Sequence, residues 1–314
     1  MPLTHDGLNS PFRYAGGKFY ARKLLLEHVP PHTSYVEVFA GGGSIFFAKK
    51  KVAQNWLNDK DQELMNTFIH IRDRVEELIS LLKGLRASKS KHGYFKNEFK
   101  PKNSLERALR WFYLNRTSYS GIMNMMNCYW GYGKKYSMVP KNWPPHLRNC
   151  STKLEGVKLT NWDFERVIEE APDGAFLFID PPYFNADQDK FYTISFSRED
   201  HYRLEQILKK HSKRFRFLLT YDNTPEIRKL YSWANETLDK EWNYTINRTD
   251  DQKKDGSRKK NEKGTRYKGK ELFILNYEVS APAEAESIQL KLPQSLSGNA
   301  SEGRSRIARK VSVE

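Results

Sequence analysis

Asp180-Pro181-Pro182-Tyr183 follows directly on the apolar run Ala175-Phe176-Leu177-Phe178-Ile179. A buried strand with this ending must leave its sheet at Asp180, because proline fixes φ and brings no N–H to the ladder. An acid, two proline carbonyl oxygens and a flat ring then stand together at the strand's C-terminal edge, where open α/β sheets bind their ligands. The set suits a planar group carrying an exocyclic amine, such as a base taken out of its helix. Asp180 and the carbonyls of Pro181 and Pro182 accept hydrogen bonds, and Tyr183 offers a stacking face. A tight turn with a capping Asp explains the same four residues, so the rest of the chain has to decide.

Upstream, Tyr35-Val36-Glu37-Val38-Phe39 reads as a strand, Ala40-Gly41-Gly42-Gly43-Ser44 as a glycine turn and Ile45-Phe46-Phe47-Ala48 as the start of a helix. Strand, glycine turn and helix open a doubly wound nucleotide-binding sheet. The glycine spacing is not a dinucleotide fingerprint, and no Gly-Lys-Ser/Thr follows, which disfavours NAD and a P-loop. Glu37 lies inside the strand, where an isolated carboxylate is costly unless it meets polar groups. A second strand near Asn55-Trp56-Leu57-Asn58 ends at Asp59, at the offset from Gly41 where an acid takes ribose hydroxyls. An acid there without a phosphate-gripping lysine points to a nucleoside cofactor lacking pyrophosphate, namely S-adenosylmethionine. Near the N-terminus, Tyr14-Ala15-Gly16-Gly17-Lys18 combines a stacking ring, glycines that permit close backbone approach and a cation that can meet a carboxylate. A plain glycine turn is the alternative. Asp163-Phe164, after the strand Val157–Thr160, either holds and covers an adenine or caps the helix that begins at Glu165.

These groups need a sheet with helices on both faces to hold them, and the chain alternates accordingly. A helix is expected over Glu63–Leu82, another through Leu105–Leu114 and a third over Glu199–Lys210; strands are expected at Phe215–Thr220 and Glu271–Leu275. Lys83–Lys102 is rich in lysine and serine. Asn115–Lys135 is rich in glycine, aromatic rings and Asn/Arg/Lys, and reads as a hairpin or irregular loop whose side chains grip phosphates and read base edges. Residues 248–270 read as a basic loop, including Lys259 and Lys260, near a polyanion. The Ala/Pro/Ser/Glu-rich segment 280–314 reads as a disordered tail.

The 314 residues carry 53 basic and 38 acidic side chains, a formal net charge of +15. That balance favours nucleic acid as the partner. Cys128 and Cys150 are too few and too far apart for a disulfide framework or a zinc site, so no metal is expected. With no apolar signal core and no membrane-length run, a cytoplasmic, membrane-free location is expected.

Taken in order, Tyr14–Lys18, Glu37–Ser44, Asn58-Asp59-Lys60-Asp61, Leu114-Asn115-Arg116 with Gly121, and Asp180–Tyr183 make the chain resemble the Dam-type (D12 class) adenine-N6 DNA methyltransferases over about residues 11–277. The resemblance implies a three-layer, Rossmann-like S-adenosylmethionine-dependent methyltransferase fold with an inserted helical DNA-recognition domain. Residues 9–66 and 151–279 would form the catalytic domain, and 67–150 a mainly helical target-recognition domain with a hairpin. Tyr14, Ala15, Gly16, Lys18, Glu37, Phe39, Ala40, Gly41, Gly42, Gly43, Ser44, Asp59, Asp163, Phe164 and Asp180 would line the cofactor pocket, with Lys18 near the methionine end and Asp59 on the ribose. Asp180, Pro181, Pro182 and Tyr183 would hold a flipped adenine in duplex DNA. Arg116, Thr117, Tyr119, Asn124, Lys134 and Lys135 would face the DNA. A cognate restriction endonuclease is a further implied partner. Tyr129–Lys135 does not reproduce the hairpin segment of members that recognise GATC, so no target sequence is implied. The alternatives are an RNA or cytosine-N4 methyltransferase of the same fold, or a non-catalytic DNA-binding protein that responds to S-adenosylmethionine.

Overall fold

The computed structural model describes residues 7–14, 16–133, 137–185, 193–243 and 268–279. Seven strands form one sheet in the order β3-β2-β1-β4-β5-β7-β6. They are β1 (Ser34–Glu37), β2 (Gln54–Asn58), β3 (Lys158–Thr160), β4 (Phe176–Ile179), β5 (Arg216–Asp222), β6 (Glu236–Asn243) and β7 (Lys268–Leu275). The first five run parallel, and β7 is antiparallel to both β5 and β6. Parallel strands are covered on both faces, which is why β1 and β4 are buried throughout. The order reverses between β1 and β4, and a ligand crevice lies outside the carboxyl ends of strands at such a switch point.

Two hydrophobic clusters divide the sheet's faces. One, with Val36, Leu177, Ile179, Leu219 and Ile274, packs against α8 (Phe164–Glu170), α9 (Arg198–His211) and α10 (Pro225–Leu230). The other, with Tyr35, Phe176, Phe178, Leu218 and Phe273, packs against α1 (Arg22–Leu26), α2 (Ser44–Ala48) and α3 (Gln62–Asp73). This is the three-layer α/β architecture anticipated from the alternation of elements. The second cluster continues without a break through Phe68 and Ile71 of α3 into α4 (Val75–Leu82), α5 (Lys89–Asn97), α6 (Ser104–Thr117) and α7 (Trp143–Leu154).

The helical region departs from expectation at three places. The periodic stretch 63–82 is broken at Arg74, whose φ of −139° and ψ of 39° separate α3 from α4. The lysine- and serine-rich stretch contains α5, started by the Ser88 side chain accepting from the Lys91 N–H and seated by buried His92 and Phe95. The stretch Asn115–Lys135, expected as a hairpin or irregular loop, begins with three residues that belong to α6, and its other described residues form an irregular loop with one antiparallel bridge, Ser118 to Trp130, that encloses a 3-10 turn at Tyr119–Gly121. No helix among the described residues is long and apolar enough to cross a membrane. The basic loop lies outside the described residues apart from its last three positions, which begin β7, and the tail lies outside them entirely.

Candidate active site

β4 delivers Asp180 to the sheet edge beside the end of β5. Its Oδ1 accepts from the Lys18 ammonium at 2.6 Å and from the Thr220 hydroxyl at 2.6 Å. Among the described residues no donor meets Oδ2. Lys18 is buried, and its Nζ also donates to the Gly16 carbonyl and lies 4.9 Å from the centre of the Tyr183 ring. Acid, cation and ring are therefore one cluster, although 162 positions separate Lys18 from Asp180. Tyr183 donates its hydroxyl to Glu271 of β7. The loop after it is held by Asp222, whose two oxygens accept from the backbone N–H groups of Phe184 and Asn185 at 3.0 and 3.1 Å.

The glycine turn closes the neighbouring end of β1. Gly41 and Gly43 have φ of 47° and 66°, a region where other side chains are strained. A Cβ on Gly41 would meet the Tyr14 ring at 2.9 Å, so this glycine is also what lets the N-terminal segment close down on the turn. Asp59 accepts from Gly41 N–H at 2.8 Å and Asp61 N–H at 2.9 Å. Removal from water pushes its pKa up to about 6, with the Asp61 charge adding and the backbone donors opposing. Glu37 is fully enclosed, and the polar groups it meets belong to the protein: the Tyr35 hydroxyl at 2.7 Å and the Phe46 N–H at 2.6 Å. Burial still raises its pKa to about 7.

Other sequence candidates land less uniformly. Asp163 is the N-cap of α8, accepting from Glu165 N–H at 3.2 Å, and pairs with Arg203 at 3.1 Å. Phe39 and Phe164 face each other with ring centres 5.7 Å apart, and Phe196 joins both. Arg116 and Thr117 turn inward, which corrects their assignment to a DNA-facing surface. Arg116 is buried and donates to the Pro11 carbonyl at 3.4 Å, while the Thr117 hydroxyl donates to the Tyr113 carbonyl at 2.7 Å. Both lie in the last turn of α6, whose final seven residues, Trp111–Thr117, are all buried. Tyr119 is exposed and Asn124 half-buried. Ala15, Lys134 and Lys135 lie outside the described residues. Thr220 and Glu271 escaped the sequence reading. Each sits at the sheet's C-terminal edge beside a motif residue, so a strand alignment, not a local motif, would have revealed them.

The profile of the D12 class N6 adenine-specific DNA methyltransferases matches residues 14–246, a span that holds the Tyr14–Lys18 segment, the glycine turn, the helical region and Asp180–Tyr183. The chain belongs to this family. It is 30% identical over 251 residues to the type II methyltransferase M1.LlaDCHI of Lactococcus lactis subsp. cremoris, covering 72% of this chain and 85% of that protein. It is 28% identical to the type II methyltransferase M.MjaIII of Methanocaldococcus jannaschii, covering 85% of this chain and 99% of that one. With the DNA adenine methylase of Escherichia coli K12 it shares 24% identity, over 62% of this chain and 73% of that protein. The chain is thus an adenine-specific DNA methyltransferase, and the Asp180 cluster sits where its sheet places a ligand.

Proposed function

We propose that this methyltransferase takes its methyl group from S-adenosylmethionine and delivers it to the N6 amine of an adenine turned out of duplex DNA at a specific site. The observation that carries the reading is the convergence of Lys18, Thr220 and Asp180 beside the Tyr183 ring. The donor set around the glycine turn fits the cofactor: two carboxylates, Glu37 and Asp59, and a turn too tight for side chains, with no phosphate-gripping cation in the motif. Asp59 would take the ribose, Tyr14 would bound the pocket over the glycine turn, and Phe39 and Phe164 would bound the adenine side. When bound, S-adenosylmethionine supplies an electrophilic methyl on a sulfonium.

The protein's part is positioning. An adenine amine is a poor nucleophile because its lone pair is spread into the ring. Asp180 Oδ2 and the Pro181 carbonyl would accept its two N–H bonds, localise that pair and aim it. Thr220 and Lys18 hold the other oxygen and so fix the carboxylate's plane. Stacking on Tyr183 offsets part of the cost of unstacking the base, about a few kcal/mol in general. Tyr119 and Asn124 are the described candidates for DNA contact. The type II names of two relatives favour a companion endonuclease cutting the same sequence.

The test is incubation of mixed-sequence duplex DNA with methyl-labelled S-adenosylmethionine, followed by mapping of modified bases. Label on adenine N6 within one recurring sequence is expected. Label only on cytosine or RNA would sink the proposal, and plasmid DNA carrying the mark should resist an endonuclease specific for that sequence.

A further inference from the structure

Glu271 stands on β7 directly opposite Asp222 of β5 and is 1% exposed. Its Oε2 accepts the Tyr183 hydroxyl, and its Oε1 is buried with no hydrogen-bond partner. A carboxyl group so placed is costly to bury, and nothing in the sheet needs it: its neighbours Leu272, Phe273 and Ile274 are apolar core residues. The contact it does make is to the one aromatic side chain of the Asp180–Tyr183 motif. Tyr183 follows two prolines on a loop; its ring lies 6.1 Å from that of Tyr221, tilted by 38°, and 4.9 Å from the Lys18 ammonium.

We propose that Glu271 is a positioning residue for methyl transfer, holding the Tyr183 ring through its hydroxyl in the plane on which the target base stacks. This rests on the reading of Asp180–Tyr183 as the base site. A phenol anchored at its far end by a buried carboxyl cannot rotate away when the base is absent, so the stacking surface is in place before the base arrives. That role also accounts for a tyrosine at this position, since a phenylalanine stacks equally well and has no anchor.

Among the described residues, the charged and titratable groups around Glu271 come from four directions: Lys18 before α1, Asp180 and Tyr183 after β4, Asp222 on β5, and Lys240, its register partner on β6. Burial dominates and raises the Glu271 pKa to about 8, with Lys18 and the Tyr183 hydrogen bond opposing and Asp180 and Asp222 adding. Near neutral pH the group is therefore the neutral acid. As pH rises past about 8 it ionises beside Asp180 and competes with it for the Lys18 ammonium. An alkaline limb of turnover that originates at Glu271 is the expected consequence.

The experiment compares E271Q, E271L, Y183F and the E271L/Y183F double variant with wild type, measuring kcat and the KM for S-adenosylmethionine from pH 6 to 9.5, with D180A as control. E271L is expected to lower kcat on the order of tenfold to a hundredfold, the cost of a misplaced reacting group, with KM for the cofactor unchanged. E271Q, which still accepts the phenol but cannot ionise, should recover most of that loss and flatten the alkaline limb. In the Y183F background E271L should add little, because the two changes break one contact. The inference is overturned if the E271L and Y183F effects multiply, or if Y183F keeps the wild-type kcat; a wild-type limb in E271Q overturns only the assignment of the limb. Should E271L fail to fold by circular dichroism, Y183F against E271Q decides the matter: a kcat loss in Y183F that E271Q does not share supports the anchor, and a wild-type kcat in Y183F overturns it. A D180A enzyme that still turns over overturns the base-site reading itself, whereas an inactive D180A beside a wild-type-like E271L overturns only the role of Glu271.

Discussion

The Asp180 edge and the segment from Ser118 to Gly133 are built on opposite principles. At the edge, side chains are enclosed and tied to one another: Lys18 to Asp180, Thr220 to Asp180, Tyr183 to Glu271, and Asp222 to the backbone after Tyr183. In the 118–133 segment Ile122 and Met123 anchor the loop, while other large side chains point to solvent, Met126 at 81% exposure, Tyr129 at 61% and Tyr119 at 52%. What is fixed there is the backbone. Tyr119 N–H donates to the Tyr129 carbonyl at 2.8 Å and Gly131 N–H to the Thr117 carbonyl at 2.9 Å, and a Cβ on Gly131 would collide with Tyr119 Cα at 2.2 Å. A reaction centre needs atoms held to fractions of an ångström. A surface that reads DNA gains from a rigid frame carrying adaptable, exposed side chains, because its side chains settle against a partner that is not yet there.

Removing the centre of the first region should have the largest effect. D180A should cut kcat on the order of a hundredfold to a thousandfold, as loss of a principal transition-state hydrogen-bonding group does elsewhere, while S-adenosylmethionine and DNA binding persist in equilibrium assays. Retained turnover would show that the edge is not the reaction centre. T220V leaves Lys18 in place and frees one side of the carboxylate, so a smaller drop in kcat, about tenfold, is expected with little change in either KM. If the two regions are as separate in role as in construction, Y119A should do the reverse. DNA affinity should fall by about 1–3 kcal/mol if its ring stacks on a base, with cofactor affinity and melting temperature unchanged. An equal loss of cofactor binding would erase the contrast.

The smallest effect concerns stability and pH. The folded-state pKa of Glu271 lies at about 8, above its ordinary value of 4.5. The folded protein therefore holds this proton where the unfolded chain has released it. The stability contribution is fully present below pH 4.5 and is lost progressively up to about pH 8. E271Q has no proton to lose, so its melting temperature relative to wild type should rise between pH 5 and pH 8 and then level off. A difference independent of pH would show that Glu271 stays ionised when folded.

The sheet and its glycine turn were readable because their signals are local. A glycine turn after a β-rich run, or prolines after an apolar one, states its geometry within a few residues. The Lys18–Asp180 pair was half readable: the lysine's need for a carboxylate was plain, but the carboxylate comes from the chain itself, 162 positions away. Glu271 gave no signal, since its meaning depends on β7 inserting antiparallel between β5 and β6. In the helical region the error ran the other way. Arg116 and Thr117 have side chains of the kind that contact DNA, yet α6 packs its last turn inward, where Arg116 meets the Pro11 carbonyl and Thr117 the Tyr113 carbonyl. The α5 helix was hidden because its lysines mask the two residues, His92 and Phe95, that seat it.

Asn115 ties these regions together. Fully buried, it accepts from the Arg13 N–H at 3.0 Å and donates to the Arg13 carbonyl at 2.7 Å and the Gly121 carbonyl at 3.3 Å. One amide thus staples the irregular segment leading into Tyr14 and Lys18 to the turn that presents Tyr119. Gly121 meets the same partner, since a Cβ there would strike the Arg13 carbonyl oxygen at 2.2 Å. Any shift of the Tyr119 turn on a DNA duplex must therefore pull on the segment that carries Lys18. If Tyr119 meets DNA as proposed, the fit of that turn on the duplex and the placement of Lys18 against Asp180 are mechanically linked.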